Sequence, residues 1–397
     1  MKKNWEVKKL GEVCDVISGQ SPEGKYYNNI NNGLPFYQGK KEFSDKYIGE
    51  PTTWTTSITK EAKQGDILMS VRAPVGPVNF STEKICIGRG LAAIRASELI
   101  DKEYLFKFLI KHEKDIIGNE GAVFNSINKA QIEDISIPIP PLPEQQRIVG
   151  ILDEAFDAIS RAKENTEKNL QNARELFESY LQNVFANPGD GWEEKKLGDK
   201  NLIEIIDGDR GKNYPTKSDF FEDGFCLFLN TKNVRPDGLD FETTMFINEN
   251  KDMALGNGKL KRNDVVMTTR GTIGNLGIYS DDVEYDNVRI NSGMLIFRPN
   301  LKVIIPEYLF KILRSGIINA QIEKHVSGAA QPQLPIKTLV SFTFPVPNSV
   351  TEQRNIVNKL DALSKETKKL EAIYNKKLTD LEELKKSILQ KAFNGEL

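Results

Sequence analysis

Two long, highly charged segments with helical periodicity constrain the fold of this chain more than any other feature. The first begins at Pro143 and the second at Thr351, and each follows a short apolar stretch that contains prolines. Each runs for about 40 residues, which corresponds to a helix about 60 Å long at ~1.5 Å per residue. Their apolar residues recur at steps of three and four, and such a stripe requires a partner helix, as in a coiled coil. The sequence therefore predicts that the two helices pair with each other.

The two halves of the chain follow the same plan. Residues 5–12 read WEVKKLGE and residues 192–199 read WEEKKLGD, and a second shared segment occurs at residues 65–76 and 263–274. We predict an α+β fold in which two similar, strand-rich modules are joined by two long antiparallel helices that form a coiled coil, an internal repeat with pseudo-twofold symmetry. The predicted segments are residues 1–143 (first module), 144–187 (first helix), 188–350 (second module) and 351–397 (second helix).

The composition is that of a water-soluble protein without a strong charge bias. The chain has 397 residues, of which 28% are charged, a net charge of -2 and a mean hydropathy of -0.43. No run approaches the ~20 apolar residues of a membrane span, and the first residues lack the apolar stretch of a signal peptide. The three cysteines and two histidines are too scattered for a zinc site. We therefore expect a cytoplasmic protein with no bound metal and no membrane partner.

Catalytic motifs are absent from the sequence apart from one weak candidate. We find no phosphate-binding loop, no glycine-rich dinucleotide motif and no adenine-methyltransferase motif. Asp237 and Glu249 could hold a divalent metal with Lys251 beside the attacking water, as in a nuclease. However, the residues around Asp237 predict a turn and those around Glu249 predict an exposed loop. The sequence thus predicts no catalytic residue, and a self-sufficient nuclease built on these three residues is a minor alternative.

Between the shared segments, the two modules carry different polar loops. Gln38 and Lys40 lie in such a loop in the first half, and Asn230 and Lys232 lie in one in the second half. Asn, Gln, Arg and Lys side chains read base edges in DNA grooves, while Lys, Thr and Ser hold phosphates. A common scaffold with two polar surfaces suits a protein that recognises two DNA segments. These four residues are therefore candidate DNA contacts.

Arg72 and Arg270 occupy the same place in the two halves. Each follows a predicted buried strand and precedes a glycine-containing loop. A guanidinium at a strand end could meet a phosphate or a guanine, or it could form a structural salt bridge that is repeated in both halves. The sequence leaves both interpretations open, and both arginines are included among the candidate DNA contacts.

These repeated segments resemble those of the specificity subunits of type I restriction-modification systems. The resemblance rests on the two WExKKLG openings, on residues 65–76 and 263–274, and on the proline-containing strand and Glu-Gln helix start at residues 137–148. It covers nearly the full length. It implies a non-catalytic subunit in which each target-recognition domain binds one half of a split double-stranded DNA site and the helices act as a ruler. Half-site centres on one face of B-DNA would lie about one helical turn, ~34 Å, apart.

The resemblance also implies partners for the long helices. They would dock two methyltransferase (modification) subunits, and restriction subunits with helicase and nuclease activity would join the complex. S-adenosylmethionine, ATP and Mg²⁺ are then expected in the partner subunits, with no cofactor in this chain. The predicted partner-binding residues are Glu144, Gln145, Arg147, Glu352, Gln353 and Arg354. The alternative function is a coiled-coil scaffold with two protein-binding lobes and no DNA readout.

Overall fold

The computed structural model describes residues 5–113, 126–236, 238–325 and 334–397. Within it, the chain forms two compact units. Unit 1 comprises Met1–Lys168 and Tyr374–Leu397, and unit 2 comprises Asn169–Ile373. Each unit therefore combines one strand-rich module with parts of both long helices. The prediction of four consecutive segments divides the chain differently and stays a prediction.

The first module spans residues 5–139 and contains short strands and helices. Its strands are β1 (Glu6–Lys9), β2 (Cys14–Ser18), β3 (Tyr27–Asn28), β4 (Leu34–Tyr37), β5 (Trp54–Thr55), β6 (Glu61–Ala62), β7 (Ile67–Ser70), β8 (Val78–Phe80), β9 (Ile85–Ile87), β10 (Leu91–Ala96) and β11 (Ser136–Ile139). Its helices are α1 (Leu10–Val13), α2 (Lys102–His112) and α3 (Lys129–Glu133), and the long helix α4 (Leu142–Ala186) follows.

The second module spans residues 192–347. Its strands are β12 (Trp192–Lys196), β13 (Ile203–Asp207), β14 (Cys226–Leu229), β15 (Val234–Arg235), β16 (Gly238–Leu239), β17 (Phe246–Ile247), β18 (Val265–Thr268), β19 (Leu276–Ile278), β20 (Val288–Ile290), β21 (Met294–Pro299) and β22 (Thr343–Pro347). Its helices are α5 (Glu249–Ala254), α6 (Pro306–Leu313), α7 (Gly316–His325) and α8 (Ile336–Leu339), and the long helix α9 (Val350–Asn394) follows.

The two modules share the topology of the central sheet and of the pairs that flank it, which confirms the predicted internal repeat. The central antiparallel sheet has the order β2-β10-β7-β8 in the first module and β13-β21-β18-β19 in the second. Next to it, β4 pairs in parallel with β9, and β14 pairs in parallel with β20. The opening strand of each module pairs with the proline-containing strand that precedes the long helix, β1 with β11 and β12 with β22.

The central strands are apolar on both faces because each face is covered. Successive side chains of a strand point to opposite sides of the sheet. In β7, Met69 packs in the core that contains α2, and Leu68 packs in a second core on the other face. In β18, Met267 and Val266 likewise pack in two different cores, one on each face of the sheet. The uninterrupted apolar runs in the sequence therefore do correspond to buried strands, as predicted.

In unit 1, the beginning of α4 runs antiparallel to the end of α9. Ile148 and Leu152 near the start of α4 share a core with Leu389 and Phe393 near the end of α9. Further along, the Lys163 Nζ lies 2.9 Å from the Glu382 carboxylate. The order of these contacts along the two helices confirms the predicted antiparallel pairing within this unit.

Unit 2 contains the complementary parts of the same helices. Phe185 near the end of α4 shares a core with Val357 and Leu360 near the start of α9, and the Arg174 Nε lies 3.1 Å from the Glu371 carboxylate. Phe185 also stacks edge-on against Tyr308, with ring centroids 5.6 Å apart. Both units are thus built in the same way, with a module packed on the start of its own long helix and the end of the other.

Helix α2 begins with a side-chain cap that its counterpart α6 lacks. The Asp101 carboxylate accepts hydrogen bonds from the backbone nitrogens of Glu103 (2.8 Å) and Tyr104 (3.1 Å), whereas α6 begins with Pro306. We expect Asp101→Ala to lower the free energy of unfolding by about 1 kcal/mol. Asp101→Asn keeps an acceptor and should cost less. Urea unfolding followed by tryptophan fluorescence measures both, and equal losses would contradict the capping role.

Candidate nucleic-acid interface

In the first module, one glycine joins the two strand ends after which the candidate DNA contacts lie. Gln38 directly follows β4, Lys40 begins the 3₁₀ helix Lys40–Glu42, and Arg72 follows β7. The Gly90 nitrogen donates to the Gln38 carbonyl oxygen at 3.1 Å, and the Gly90 carbonyl accepts from the Val71 nitrogen at 3.0 Å. A Cβ at Gly90 would lie 2.4 Å from the Gln38 carbonyl oxygen. Only glycine therefore allows these two strand ends to approach each other.

The second module repeats this arrangement around Gly293. Asn230 directly follows β14, Lys232 lies in the 3₁₀ helix Thr231–Asn233, and Arg270 follows β18. The Thr269 nitrogen donates to the Gly293 carbonyl oxygen at 2.8 Å, and a Cβ at Gly293 would lie 3.8 Å from the Arg270 Cβ. The structure thus brings together the strand ends that precede the candidates of each module, at equivalent positions, and of the six candidates only Arg72 and Arg270 line the surface clefts of the two modules.

Each arginine lines a surface cleft, and the two clefts correspond. The cleft of the first module has a volume of about 220 Å³ and that of the second about 290 Å³. The two clefts are lined by residues at matching positions. These positions lie in β2 and β13, directly after β7 and β18, and in the segments before α3 and α8. The residues that line both clefts at corresponding positions are Ser18 and Asp207, Val71 and Thr269, Arg72 and Arg270, Ala92 and Leu295, and Ile127 and Leu334.

Within the described residues, neither Arg72 nor Arg270 forms the repeated salt bridge that the sequence left open. Among the described residues, neither guanidinium has a hydrogen-bond or ion-pair partner. The repeated ion pair is instead made by the arginines in β10 and β21: Arg95 pairs with Asp66 and Arg298 pairs with Asp264, each at 2.7 Å. The structural role is therefore filled by Arg95 and Arg298, and no described residue occupies the donors of the cleft arginines.

In the side-chain amides of Gln38 and Asn230, the oxygen accepts a hydrogen bond within the protein. The Gln38 Oε1 accepts from the Ser21 hydroxyl at 2.8 Å, and the Asn230 Oδ1 accepts from the Lys232 nitrogen at 2.8 Å. Within the described ranges, their amide nitrogens have no partner. Each side chain can therefore donate to a ligand, while its carbonyl oxygen already accepts one hydrogen bond within the protein.

Several cationic side chains at the clefts were not predicted from the sequence. Arg89 and Lys129 line the first cleft, and Arg210 and Lys337 line the second. The two lysines lie in the first turns of α3 and α8. In the sequence, each is a cation in the segment that precedes the proline-containing strand of its half. Arg89 and Arg210 occupy different positions in their modules, so the sequence repeat gives no signal for them.

The loop that carries Arg210 is held by the carboxylate of the preceding residue. Asp209 accepts hydrogen bonds from the backbone nitrogens of Gly211 and Gly256, both at 2.7 Å. These bonds, the one from Gly211 above all, lower the pKa of Asp209. Arg210 itself lies 3.2 Å from the Asp207 carboxylate and donates to the Ser292 carbonyl at 3.2 Å. The guanidinium is therefore positioned before any ligand arrives.

The residues predicted to bind partner subunits divide into buried and exposed ones. Gln145 and Gln353 are fully buried, and both side chains bond to backbone groups of their own modules. Arg147 is exposed and pairs with Glu144 at 2.7 Å, and Arg354 is exposed. A sixth residue, Glu352, accepts from the Trp192 indole nitrogen at 2.7 Å. Because the two glutamines have no surface, they fasten the helices to the modules and offer nothing to a partner.

Among the described residues, the geometry around Glu249 and Lys251 does not support the nuclease alternative. Asp237 lies outside the described residues. Glu249 and Lys251 belong to helix α5, so the predicted exposed loop is wrong; Asn248 caps this helix by accepting from the Lys251 nitrogen at 2.8 Å. The Lys251 ammonium is paired with Asp219 at 3.1 Å. Across the described ranges, no group of three or more His, Cys, Asp or Glu side chains is arranged to hold a metal ion.

None of the helices in the described part of the chain combines the length and the apolar character needed to span a membrane. The two long helices are charged along their whole length. Their apolar residues form the stripe that packs in the two units, as described above.

Sequence comparison finds one family twice in the chain. The family described as "Type I restriction modification DNA specificity domain" matches residues 2–171 and 189–380. The putative type I restriction enzyme MjaX specificity subunit of Methanocaldococcus jannaschii is 41% identical over 183 residues, which cover 45% of this chain and 42% of that protein. The EcoBI specificity subunit of Escherichia coli is 23% identical over 424 residues, which cover 99% of this chain and 86% of that protein.

Not every relative is matched over its length. The chain spans 42% of the MjaX subunit and 64% of the MjaIX specificity subunit of the same archaeon, to which it is 28% identical. Among solved structures, a chain from a study of complex assembly and conformational transition in the type I R-M system gives a TM-score of 0.80 at 20% identity, with 100% of this chain and 99% of that chain covered. The HsdS subunit from Thermoanaerobacter tengcongensis gives 0.66 at 19% identity, with 100% and 98% covered. Both likenesses concern the fold.

Proposed function

The chain belongs to the family of type I restriction-modification DNA specificity domains, and we propose that it recognises a bipartite DNA target for a type I restriction-modification complex. The observation that carries this proposal is the same arginine-lined cleft in two modules of the same topology. Duplicated clefts suit a target with two specified halves, because each module can bind its own segment of duplex DNA. The chain supplies recognition, and the chemistry lies in other subunits.

In this proposal, the candidate contacts of each module bind one half-site. Gln38, Lys40 and Arg72 contact the first, and Asn230, Lys232 and Arg270 contact the second. All six side chains are exposed or half-buried and carry donors, which match the phosphate oxygens and the acceptors on base edges. The net charge of -2 does not oppose this role, because DNA affinity depends on local cationic surfaces.

The long helices connect the modules and, in this proposal, bind two methyltransferase subunits. Arg147 and Arg354, with the neighbouring Glu144 and Glu352, are the proposed contacts. Restriction subunits with helicase and nuclease activity complete the complex on double-stranded DNA in the cytoplasm. S-adenosylmethionine, ATP and Mg²⁺ act in these partners. The distance between half-site centres is then fixed by the helices, at about one turn of B-DNA, ~34 Å.

Co-expression with the methyltransferase encoded beside it tests the proposal. We expect the two proteins to purify together, and we expect single-molecule sequencing of the host DNA to find methylated adenines in a split motif, with two short specified halves around a gap of fixed length. The control is the methyltransferase expressed alone, which should give no such motif. No modified motif and no co-purification would contradict the proposal.

Direct DNA binding separates this function from the scaffold alternative. A DNA-recognition subunit should lose affinity for duplex DNA steeply as salt rises, because binding releases counterions from the phosphates. A scaffold with two protein-binding lobes should show no such binding. Fluorescence anisotropy of a labelled duplex at several salt concentrations, with the full chain in its methyltransferase complex, distinguishes the two.

A further inference from the structure

The two clefts have one arginine position in common and differ in the position of a second arginine. Arg72 and Arg270 are the shared pair: each follows the equivalent strand, lines the equivalent cleft and comes directly after a residue whose backbone nitrogen donates to the equivalent glycine. What two different half-sites have in common is the sugar-phosphate backbone, whereas their bases differ. A side chain that is identical in both modules is therefore suited to contact the sugar-phosphate backbone, which both half-sites share.

Each cleft also contains a second arginine, and its attachment differs between the modules. In the first module, Arg89 lies before β10, and its backbone nitrogen donates to the Ser21 hydroxyl at 3.2 Å. In the second module, the position equivalent to Ser21 is Arg210, and the position equivalent to Arg89 is Ser292. These two are again in contact, because the Arg210 guanidinium donates to the Ser292 carbonyl at 3.2 Å. An arginine and a serine have thus exchanged places between two touching positions.

This exchange moves the second guanidinium relative to the first. In the first module it extends from the loop before the central strand β10, and in the second it extends from the loop after β13, the neighbouring strand. A guanidinium is a planar fork whose donors match guanine O6 and N7 only in a defined orientation. The same residue type attached at a different place therefore reaches a different base position.

Resting on the proposed function, we propose that Arg72 and Arg270 hold a backbone phosphate in the two clefts, whereas Arg89 and Arg210 each read a base of one half-site. The shared arginines have no ion-pair partner within the described residues, so a phosphate would displace no ion pair to any of these residues. Arg210 is held beside Asp207 at 3.2 Å, and Lys129 forms a loose surface pair with Glu133 at 3.4 Å. The first cleft has no carboxylate at the position of Asp207, because the equivalent residue there is Ser18.

The first test is the salt dependence of binding. The full chain in its methyltransferase complex is measured with a duplex that carries the motif found by methylation mapping. We expect Arg72→Ala or Arg270→Ala to reduce the slope of log affinity against log salt by about one, and to weaken binding of target and scrambled duplexes by the same factor. Lys302→Ala is the control, because it lies beyond the far end of β21 from Gly293, roughly 20 Å away.

The second test is base discrimination within the same cleft. We expect Arg89→Ala to reduce discrimination at one base pair of the first half-site by roughly 10- to 100-fold and to leave the second half-site unchanged. Arg210→Ala should do the reverse. The double exchange Ser21→Arg with Arg89→Ser gives the first module the arrangement of the second, and it should change the base specified at that position in the methylated motif.

The outcomes separate this inference from the function on which it rests. If wild type shows salt-dependent binding and a split motif, but Arg72→Ala leaves the salt slope unchanged or alters discrimination at a single base, the phosphate role is overturned. If Arg89→Ala and Arg210→Ala weaken all duplexes equally, the base-reading role is overturned. If wild type neither binds duplex DNA nor directs methylation, the proposed function itself fails. Thermal unfolding of each variant confirms that it is folded; all four arginine positions are at the protein surface or half-buried.

Discussion

Replacing Arg289 with methionine is expected to lower the free energy of unfolding of the second module by about 3–5 kcal/mol. Arg289 and Asp252 are both buried, and the Arg289 Nε lies 2.5 Å from the Asp252 carboxylate. The same guanidinium donates to the carbonyl oxygens of Asn257, Asp252 and Leu255. The substitution leaves a buried carboxylate with fewer partners and three carbonyls without their donor, and both losses are costly in a buried environment.

The matched control is Lys259→Met, which removes the other cation that contacts Asp252. Lys259 is 42% exposed on its side chain and lies 2.5 Å from the carboxylate. Because it is largely solvated and Arg289 remains, we expect a loss below about 1 kcal/mol. Hydrogen exchange measured by mass spectrometry locates the effect, which should be concentrated in residues 246–260. Comparable losses in the two variants would contradict the central role of Arg289.

The pH dependence of this difference follows from the state of Asp252. Burial alone would raise the pKa of Asp252, but the hydrogen bonds from Lys259 and Arg289 outweigh it and hold the pKa below its usual value. A carboxyl group with a lowered pKa contributes stability above its unfolded value of about 4, and this stability is lost as the pH falls through the folded value. The difference between wild type and Arg289→Met should therefore persist from pH 7 down to about pH 4 and shrink as the pH falls further.

The second large effect is expected at the junction between each module and its long helix. In the first module, the Gln145 Oε1 accepts from the Asp101 nitrogen at 2.8 Å, and its Nε2 donates to the carbonyls of Pro140 (2.8 Å) and Leu99 (3.2 Å). Gln145→Ala removes all three hydrogen bonds at once and leaves their backbone partners unpaired. With about 1–3 kcal/mol for each buried group left unpaired, and with Leu99 exposed and able to find water, we expect a loss of about 2–4 kcal/mol.

The neighbouring Gln146 provides the control for this prediction, because it is the same residue type in the same helical turn but exposed. Gln146→Ala should change stability by less than about 0.5 kcal/mol. Gln353→Ala should reproduce the large effect in the second module, since Gln353 bonds to Ile305, Val303 and Pro347 in the same manner. Denaturant unfolding monitored at Trp192 for the second module, and hydrogen exchange for both, test this. Equal behaviour of Gln145→Ala and Gln146→Ala would rule out the anchoring role.

Periodicity made the long helices and the repeat predictable from the sequence. A stripe at helical spacing and a segment repeated with a fixed offset are local properties of the chain, and two such stripes predict that the helices pair. The strand-end positions of Arg72 and Arg270 were predictable for the same reason, because a buried apolar run followed by a polar residue and a glycine marks the end of a strand.

Other features depend on contacts that the sequence pattern does not encode. Gln145 lies in the first turn of a charged helix, where polar residues are usually solvated, and only the fold places residues 99–101 over it. The residues around Glu249 were predicted to be an exposed loop, but the Asn248 cap and the buried Asp252 stabilise the helix Glu249–Ala254. The exchange between Arg89 and Arg210 is hidden because the polar loops of the two halves do not align in sequence.

The division of the long helices between the units has a consequence for synthesis on the ribosome. Unit 2 is one continuous stretch, Asn169–Ile373, whereas unit 1 is made of two stretches that unit 2 separates in sequence. The core of unit 1 includes Leu389 and Phe393, which are translated after every residue of unit 2. Domains ordinarily fold in the order in which they emerge. Here the order is inverted, because the unit that emerges first is the one that must wait for residues near the end of α9 before its core is complete.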